Sequence, residues 1–97
     1  MLDAIDNNPI KYSFIKDEDG SYFTSNNVLP DIIGFGSSEK EALLSFNEAL
    51  IAFGRFYMDQ FDMMIHAPNR QHQVLIALRI FVHTQTYRNV DWLLKRI

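Results

Sequence analysis

The stretch from Lys11 to Leu50, KYSFIKDEDGSYFTSNNVLPDIIGFGSSEKEALLSFNEAL, constrains the fold more than any other part of this chain. It reads as a hairpin, a third extended segment, a capped helix start and an amphipathic helix, an order that predicts a small α+β module. Asp17-Glu18-Asp19-Gly20-Ser21 lies between two runs of strand formers, Lys11 to Lys16 and Ser21 to Thr24. Gly20 supplies the positive φ that a tight turn needs, and the acids keep its tip solvated. After Ser25-Asn26-Asn27, which reads as a bulge or a loop, Val28-Leu29-Pro30 fits a sheet edge, where a missing N–H does no harm. Ile32, Ile33 and Phe35 are expected to form the third strand. Ser38 then precedes Glu41 at the spacing of a capping box, in which each side chain satisfies an orphan backbone N–H of the other's turn. Losing that cap is expected to cost about 1 kcal/mol.

The first strand, Ile10 to Lys16, alternates imperfectly. Tyr12, Phe14 and Lys16 share one face, but Ile15 stands on the other with Lys11 and Ser13, so both faces are expected to be partly covered. The helix from Ser38 is predicted to run to about Met58, with a main apolar face of Ala42, Leu43, Phe46, Ala49, Leu50, Phe53, Phe56 and Tyr57. Each large side chain buried there contributes roughly 1.5–3 kcal/mol, so helix and sheet depend on each other. Leu44, Ile51 and Met58, spaced by seven, form a second stripe that the C-terminal segment or a second protomer could cover. Asp59 to Asp62 ends the helix, and Met63 to Pro68 reads as a short fourth strand or an extended linker.

From Arg70 to about Thr84, with Asn69 as N-cap, the pattern of Val74, Leu75, Leu78, Phe81 and Val82 favours a helix over a strand. Val90, Leu93, Leu94 and Ile97 also stand at helical spacing, with Asn89 as N-cap and Lys95-Arg96 at the end where the helix dipole favours cations. Two short helices joined at Gln85-Thr86 would resemble half of a helix-turn-helix. The expected plan is an arm over residues 1–9, an α+β module over 10–67 and a helical appendage over 68–97 suited to oligomerisation.

With 97 residues, 47% hydrophobic and 13% aromatic, the chain can fill one folded core. It has no cysteine, which excludes disulfides and the commonest zinc ligands and suits a reducing cytosol. Arg79 interrupts the best apolar run, Val74 to Val82, well short of the roughly 18 residues of a membrane span. Asp3 and Asp6 stand where a signal peptide would be basic. A cytoplasmic protein with no membrane partner is therefore expected. The net charge of −3 is unevenly spread: residues 1–62 carry four basic and eleven acidic side chains, residues 63–97 five basic and one acidic. Such asymmetry suits an acidic surface for a basic protein partner, or a self-complementary dimer.

In order and spacing these parts resemble the HicB antitoxin family over residues 11–66. The resemblance is carried by Tyr12, Asp17, Glu18, Asp19, Gly20 and Tyr22 of the hairpin, then Leu29 and Pro30, then Gly36 and Ser38 at the helix start. It continues through Glu41, Ala42, Leu43, Glu48, Ala49 and Leu50 in the helix. Asp31 departs from the family pattern, where Gly is usual, and Phe46-Asn47 replaces a small and polar pair. The resemblance implies an antiparallel sheet of three or four strands packed on one long helix. It also implies a non-catalytic antitoxin that binds and neutralises a small HicA-like ribonuclease toxin, with Asp17, Glu18, Asp19, Tyr22 and Asp31 as candidate contacts. Leu44, Ile51 and Met58 are the candidate self-association stripe of a dimer or higher oligomer. The alternative is a solitary HicB-like scaffold or inhibitor module, encoded by a mobile element and without a toxin partner, which better accounts for the atypical C-terminal segment.

The residues offer no catalytic constellation. His66, His72 and His83, separated by six and eleven residues, match no local metal-ligand spacing. The hairpin acids lack the further ligands of a cation site, and Ser37-Ser38 fit caps rather than nucleophiles. Gly34 and Gly36 alone make no phosphate cradle. No cofactor and no metal is expected. Nucleic-acid contact through Arg70, Arg79, Arg88, Lys95 and Arg96 is the least favoured reading, because a nine-residue spacing puts successive arginines on opposite sides of a continuous helix.

Overall fold

The structure, a computed structural model, describes residues 9–67, 71–87 and 93–97. It begins with the expected hairpin: β1 (Ile10–Lys16) and β2 (Tyr22–Asn26) pair antiparallel, from Tyr12 opposite Asn26 to Lys16 opposite Tyr22. Gly20 in the turn has φ 89°, a conformation that glycine adopts without steric cost. The Asp17 N–H donates to the Ser21 carbonyl, and the Asp19 carboxylate accepts from the Ser21 N–H at 2.9 Å and from its hydroxyl.

The third strand, β3, is Phe35–Gly36 alone, antiparallel to β2 with Phe35 opposite Phe23. The longer strand expected over Ile32, Ile33 and Phe35 does not form, because Asn26 folds the preceding chain into a loop. Its Oδ1 accepts from the Val28 and Leu29 N–H groups, and its Nδ2 donates to the Leu29 and Ile32 carbonyls. Val28-Leu29-Pro30 therefore lies in that loop rather than at a sheet edge, with Leu29 buried in the core.

Helix α1, Glu39–Asp59, starts where the cap predicts, with Ser38 Oγ accepting from the Glu41 N–H at 3.2 Å. The Glu41 carboxylate does not close the expected reciprocal bond to Ser38; it accepts from the hydroxyl and N–H of Ser37, which hold it below its ordinary carboxylate range. Ala42, Phe46, Asn47, Leu50, Gly54 and Tyr57 are buried, and Phe56, expected on this face, is exposed. The buried face is turned that way because α3 (Gln71–Tyr87) covers it, with Ala77 and Ile80 against Gly54.

Met63, Met64 and Ile65, expected to be extended, instead belong to a short helix, α2 (Phe61–Ile65). Phe61, Met64 and Ile65 recur at helical spacing and pack beside Met58 against Tyr57, Val74 and Ala77, a one-sided contact that strand alternation would split. Helix α3 runs unbroken through Gln85-Thr86, so two short helices joined there are not formed.

The fourth strand comes from the far end of the chain. β4 (Leu94–Arg96) lies parallel to β1, with Leu94 opposite Ile10 and Arg96 opposite Tyr12, where a helix was expected. Four apolar residues are too few to fix a period. The outcome is decided by the edge of β1 and by Leu93 and Leu94 packing into the core. Arg96 ties the new strand to α1: its Nη2 is 2.6 Å from the Glu39 carboxylate, and its guanidinium lies 4.8 Å from the Phe14 ring centre. Pro68, Asn69, Arg70, Arg88, Asn89, Val90 and all but Pro9 of the expected arm lie outside the described residues.

The result is an α+β fold, a mixed four-stranded sheet in the order β3-β2-β1-β4 packed against a long helix and shorter ones. One buried cluster joins Ile10 and Tyr12 of the sheet, Phe46 and Leu50 of α1, Ile80 of α3 and Leu93. Ile80 and Leu93, from the segment expected as an appendage, thus share a core with the hairpin and the first helix.

Candidate functional site

Strand alternation divides the sheet into two faces. Ile10, Tyr12 and Thr24 are buried on the helix side, so Lys11, Ser13 and Ile15 of β1, Phe23 and Ser25 of β2, and Phe35 of β3 project from the other. Register then lines up Ile15, Phe23 and Phe35 in one row across three strands. Ile15 is 42% exposed and Phe35 60%. A sheet face turned to water is normally polar, and this apolar row departs from that pattern. Its only signal in the sequence was Ile15 standing on the polar face of the first strand.

The candidate contacts are only partly brought together. Asp17, Glu18 and Asp19 share one turn and are all exposed. The Ser21 hydroxyl, and then its N–H, hold the Asp19 carboxyl below the ordinary range. Tyr22 is half-buried at the start of β2, with the Lys16 ammonium 5.8 Å from its ring centre. Asp31 is exposed but belongs to the Asn26 loop, at the other end of β2. That end is about 14 Å from Tyr22 at strand rise, and farther still from the acidic tip. Asn26, which builds this loop, was not singled out from the sequence.

Of the second helix stripe, Leu44 is 56% exposed, while Ile51 and Met58 are half-buried against core clusters of the same chain. Among the basic candidates, Lys95 and Arg96 are exposed, Arg96 on Glu39, and Arg79 is half-buried; Arg70 and Arg88 lie outside the described residues. Among the described residues, no three His, Asp or Glu side chains come together as a metal-ion site, and no helix is long and apolar enough to cross a membrane.

His83 is half-buried on α3, and burial, with the neighbouring Arg79 charge second, lowers its imidazole pKa. The unfolded chain, titrating near the ordinary value of 6.5, therefore binds more protons than the fold below that pH. Stability from this group is complete above pH 6.5 and is lost as the pH falls below it. Urea midpoints measured from about pH 8 to about pH 5.5 are expected to drop in that window, and His83→Gln to flatten the drop.

Three comparisons bear on what this fold is. The sequence matches, over residues 2–94, a family profile described as PHD-like, an antitoxin of toxin–antitoxin, RelE/RelB, TA systems. The fold is similar to the crystal structure of an antitoxin part of a proposed toxin/antitoxin system from Syntrophomonas wolfei subsp. wolfei, with a TM-score of 0.73 at 22% sequence identity. That alignment covers 98% of this chain and 67% of the other, and it is a likeness of fold. No match emerges among curated proteins. Matched along nearly its whole length, the chain belongs to the PHD-like family of antitoxins, of RelE/RelB-type toxin–antitoxin systems.

Proposed function

We propose that this chain is a non-catalytic antitoxin that neutralises a small toxin by covering its working surface. The observation that carries the reading is the family match over residues 2–94. The family description favours a RelE-type partner. A HicA-like ribonuclease is the second reading, favoured by the HicB-like hairpin and by Ser38 capping α1 before Glu41. A toxin that acts on RNA needs a basic surface for phosphates. Asp17, Glu18 and Asp19, with Tyr22 beside them, offer it complementary charge at one end of the sheet, and Asp31 would make a separate contact. Charge of this kind speeds encounter more than it sets affinity.

Co-expression with the adjacent reading frame tests the proposal. The chain is expected to co-purify with a small basic protein and to relieve the growth arrest that protein causes, and the captured sequence decides between a RelE-type and a HicA-like toxin. Asp17→Lys combined with Glu18→Lys is expected to slow association on the order of tenfold at low salt. A chain that neither co-purifies with its neighbour nor relieves arrest is not acting as an antitoxin.

A further inference from the structure

We infer that the face of the sheet that no described element covers is the docking surface for a second copy of this chain, packed face to face with the strands of the two copies antiparallel. The pattern on that face is self-complementary in three respects.

The first is charge. Lys11 and Lys95 are direct neighbours across β1 and β4, and like charges so placed repel. The acids Asp17, Glu18 and Asp19 stand past the other end of β1, about 20 Å away at strand rise. A two-fold axis lying between the sheets and across the strands at Phe14 carries position 11 onto position 17. Each lysine pair then meets the acidic turn of the other copy.

Shape is the second. The same axis carries position 15 onto 13, so that the row of Ile15 and Phe23 lies over the row of Ser13 and Ser25. Two large side chains face two small ones, in both directions at once. The third is the edge. The Ile97 N–H donates to the Tyr12 carbonyl at 2.8 Å, extending the β4 register so that Ile97 stands beside Ser13 on the uncovered face, 78% exposed. It continues the serine row with an apolar residue where the rows of the two copies end.

A uniformly basic toxin would meet Lys11 and Lys95 on this face, whereas a second copy satisfies both of its ends. The helix stripe of Leu44, Ile51 and Met58 competes poorly as a dimer surface, since two of its three residues already pack within the chain. The hairpin acids serve the second copy in the free chain and the toxin in the complex, so the two contacts exclude each other.

Light scattering on size-exclusion fractions of the purified chain alone tests the inference, independently of any toxin. The expected mass is twice 11.3 kDa, falling toward the monomer on dilution. Ile15→Lys with Phe35→Lys is expected to raise the dimer dissociation constant at least about tenfold, with far-ultraviolet circular dichroism unchanged because both side chains are exposed. Lys11→Glu with Lys95→Glu is expected to weaken the dimer as well, and adding Asp17→Lys with Glu18→Lys to restore it, a rescue that a damaged fold would not show. Leu44→Lys is expected to leave the mass unchanged. A monomer at every concentration, failure of the charge swap to rescue, or a dimer broken by Leu44→Lys but not by the Ile15 and Phe35 changes overturns the inference.

Discussion

Gly34→Ala is expected to cost the fold about 3 kcal/mol, a loss at the upper end of what overpacking produces. A methyl on Gly34 would sit 2.5 Å from the Phe46 backbone nitrogen and 2.6 Å from its Cβ, and closer still to the Ala42 carbonyl oxygen. These are main-chain atoms and a Cβ of α1, so no side chain can swing away. Gly34 cannot move off either: its N–H donates to Thr24 Oγ1 at 2.8 Å and its carbonyl accepts from the Thr24 N–H at 2.9 Å, with Thr24 itself buried. The added carbon must push the whole helix from the sheet. Gly20→Asn serves as the control, because a Cβ at Gly20 meets nothing within 4 Å and asparagine tolerates a positive φ. Urea denaturation of the two variants should separate them clearly; a Gly34→Ala protein as stable as the parent would mean that α1 and the backbone at Gly34 do not approach this closely.

Phe46→Ala is expected to be as damaging, at about 3–5 kcal/mol for deleting a buried aromatic ring. Phe46 is fully buried, its ring 5.8 Å from that of Tyr12, in the cluster where sheet, α1 and α3 meet. For a domain of this size the loss lowers the thermal midpoint on the order of 20 °C, a large part of the roughly 5–15 kcal/mol that holds a domain folded. Phe56→Ala is the informative comparison, since sequence spacing puts both rings on one face and the structure leaves Phe56 exposed. It is expected to change stability by less than about 0.5 kcal/mol. Thermal melts that ranked the two variants equally would contradict the orientation of α1.

What was legible in the sequence is what local chemistry decides. Gly20 with its flanking acids announced the hairpin, and Ser38 announced the first residue of α1, because a turn and a cap are each settled within a few residues. The sense of α3 as a helix was legible too, though Val74, Ala77 and Ile80 carry its buried face rather than the wider set of apolar residues around them. Tertiary decisions were not legible. Leu93 and Leu94 satisfy a helical spacing and a strand equally well, and only the edge of β1 makes them part of a strand. Gly34 looked incidental because close approach leaves no periodicity behind. Asn26 looked like loop filler, yet its one side chain makes four hydrogen bonds that shorten β3. At the surface, the acidic turn was readable as a unit and Asp31 was not separable from it, since distance along a strand is invisible until the strand's register is known. The row of Ile15, Phe23 and Phe35 needed two registers at once.

The parallel pairing of β4 with β1 joins Ile10 to Leu94, 84 residues later. Contacts of such separation slow folding, because the loop must close before any of its hydrogen bonds form. At a translation rate of roughly 5–20 residues per second, the hairpin waits on the order of ten seconds for its last neighbour to be made. Through that interval β1 offers unpaired N–H and C=O groups, a template for any other nascent strand. Leu94, Lys95 and Arg96 therefore decide how long each new molecule remains open to its neighbours on the polysome, and deleting those three residues would leave that edge open for the molecule's lifetime.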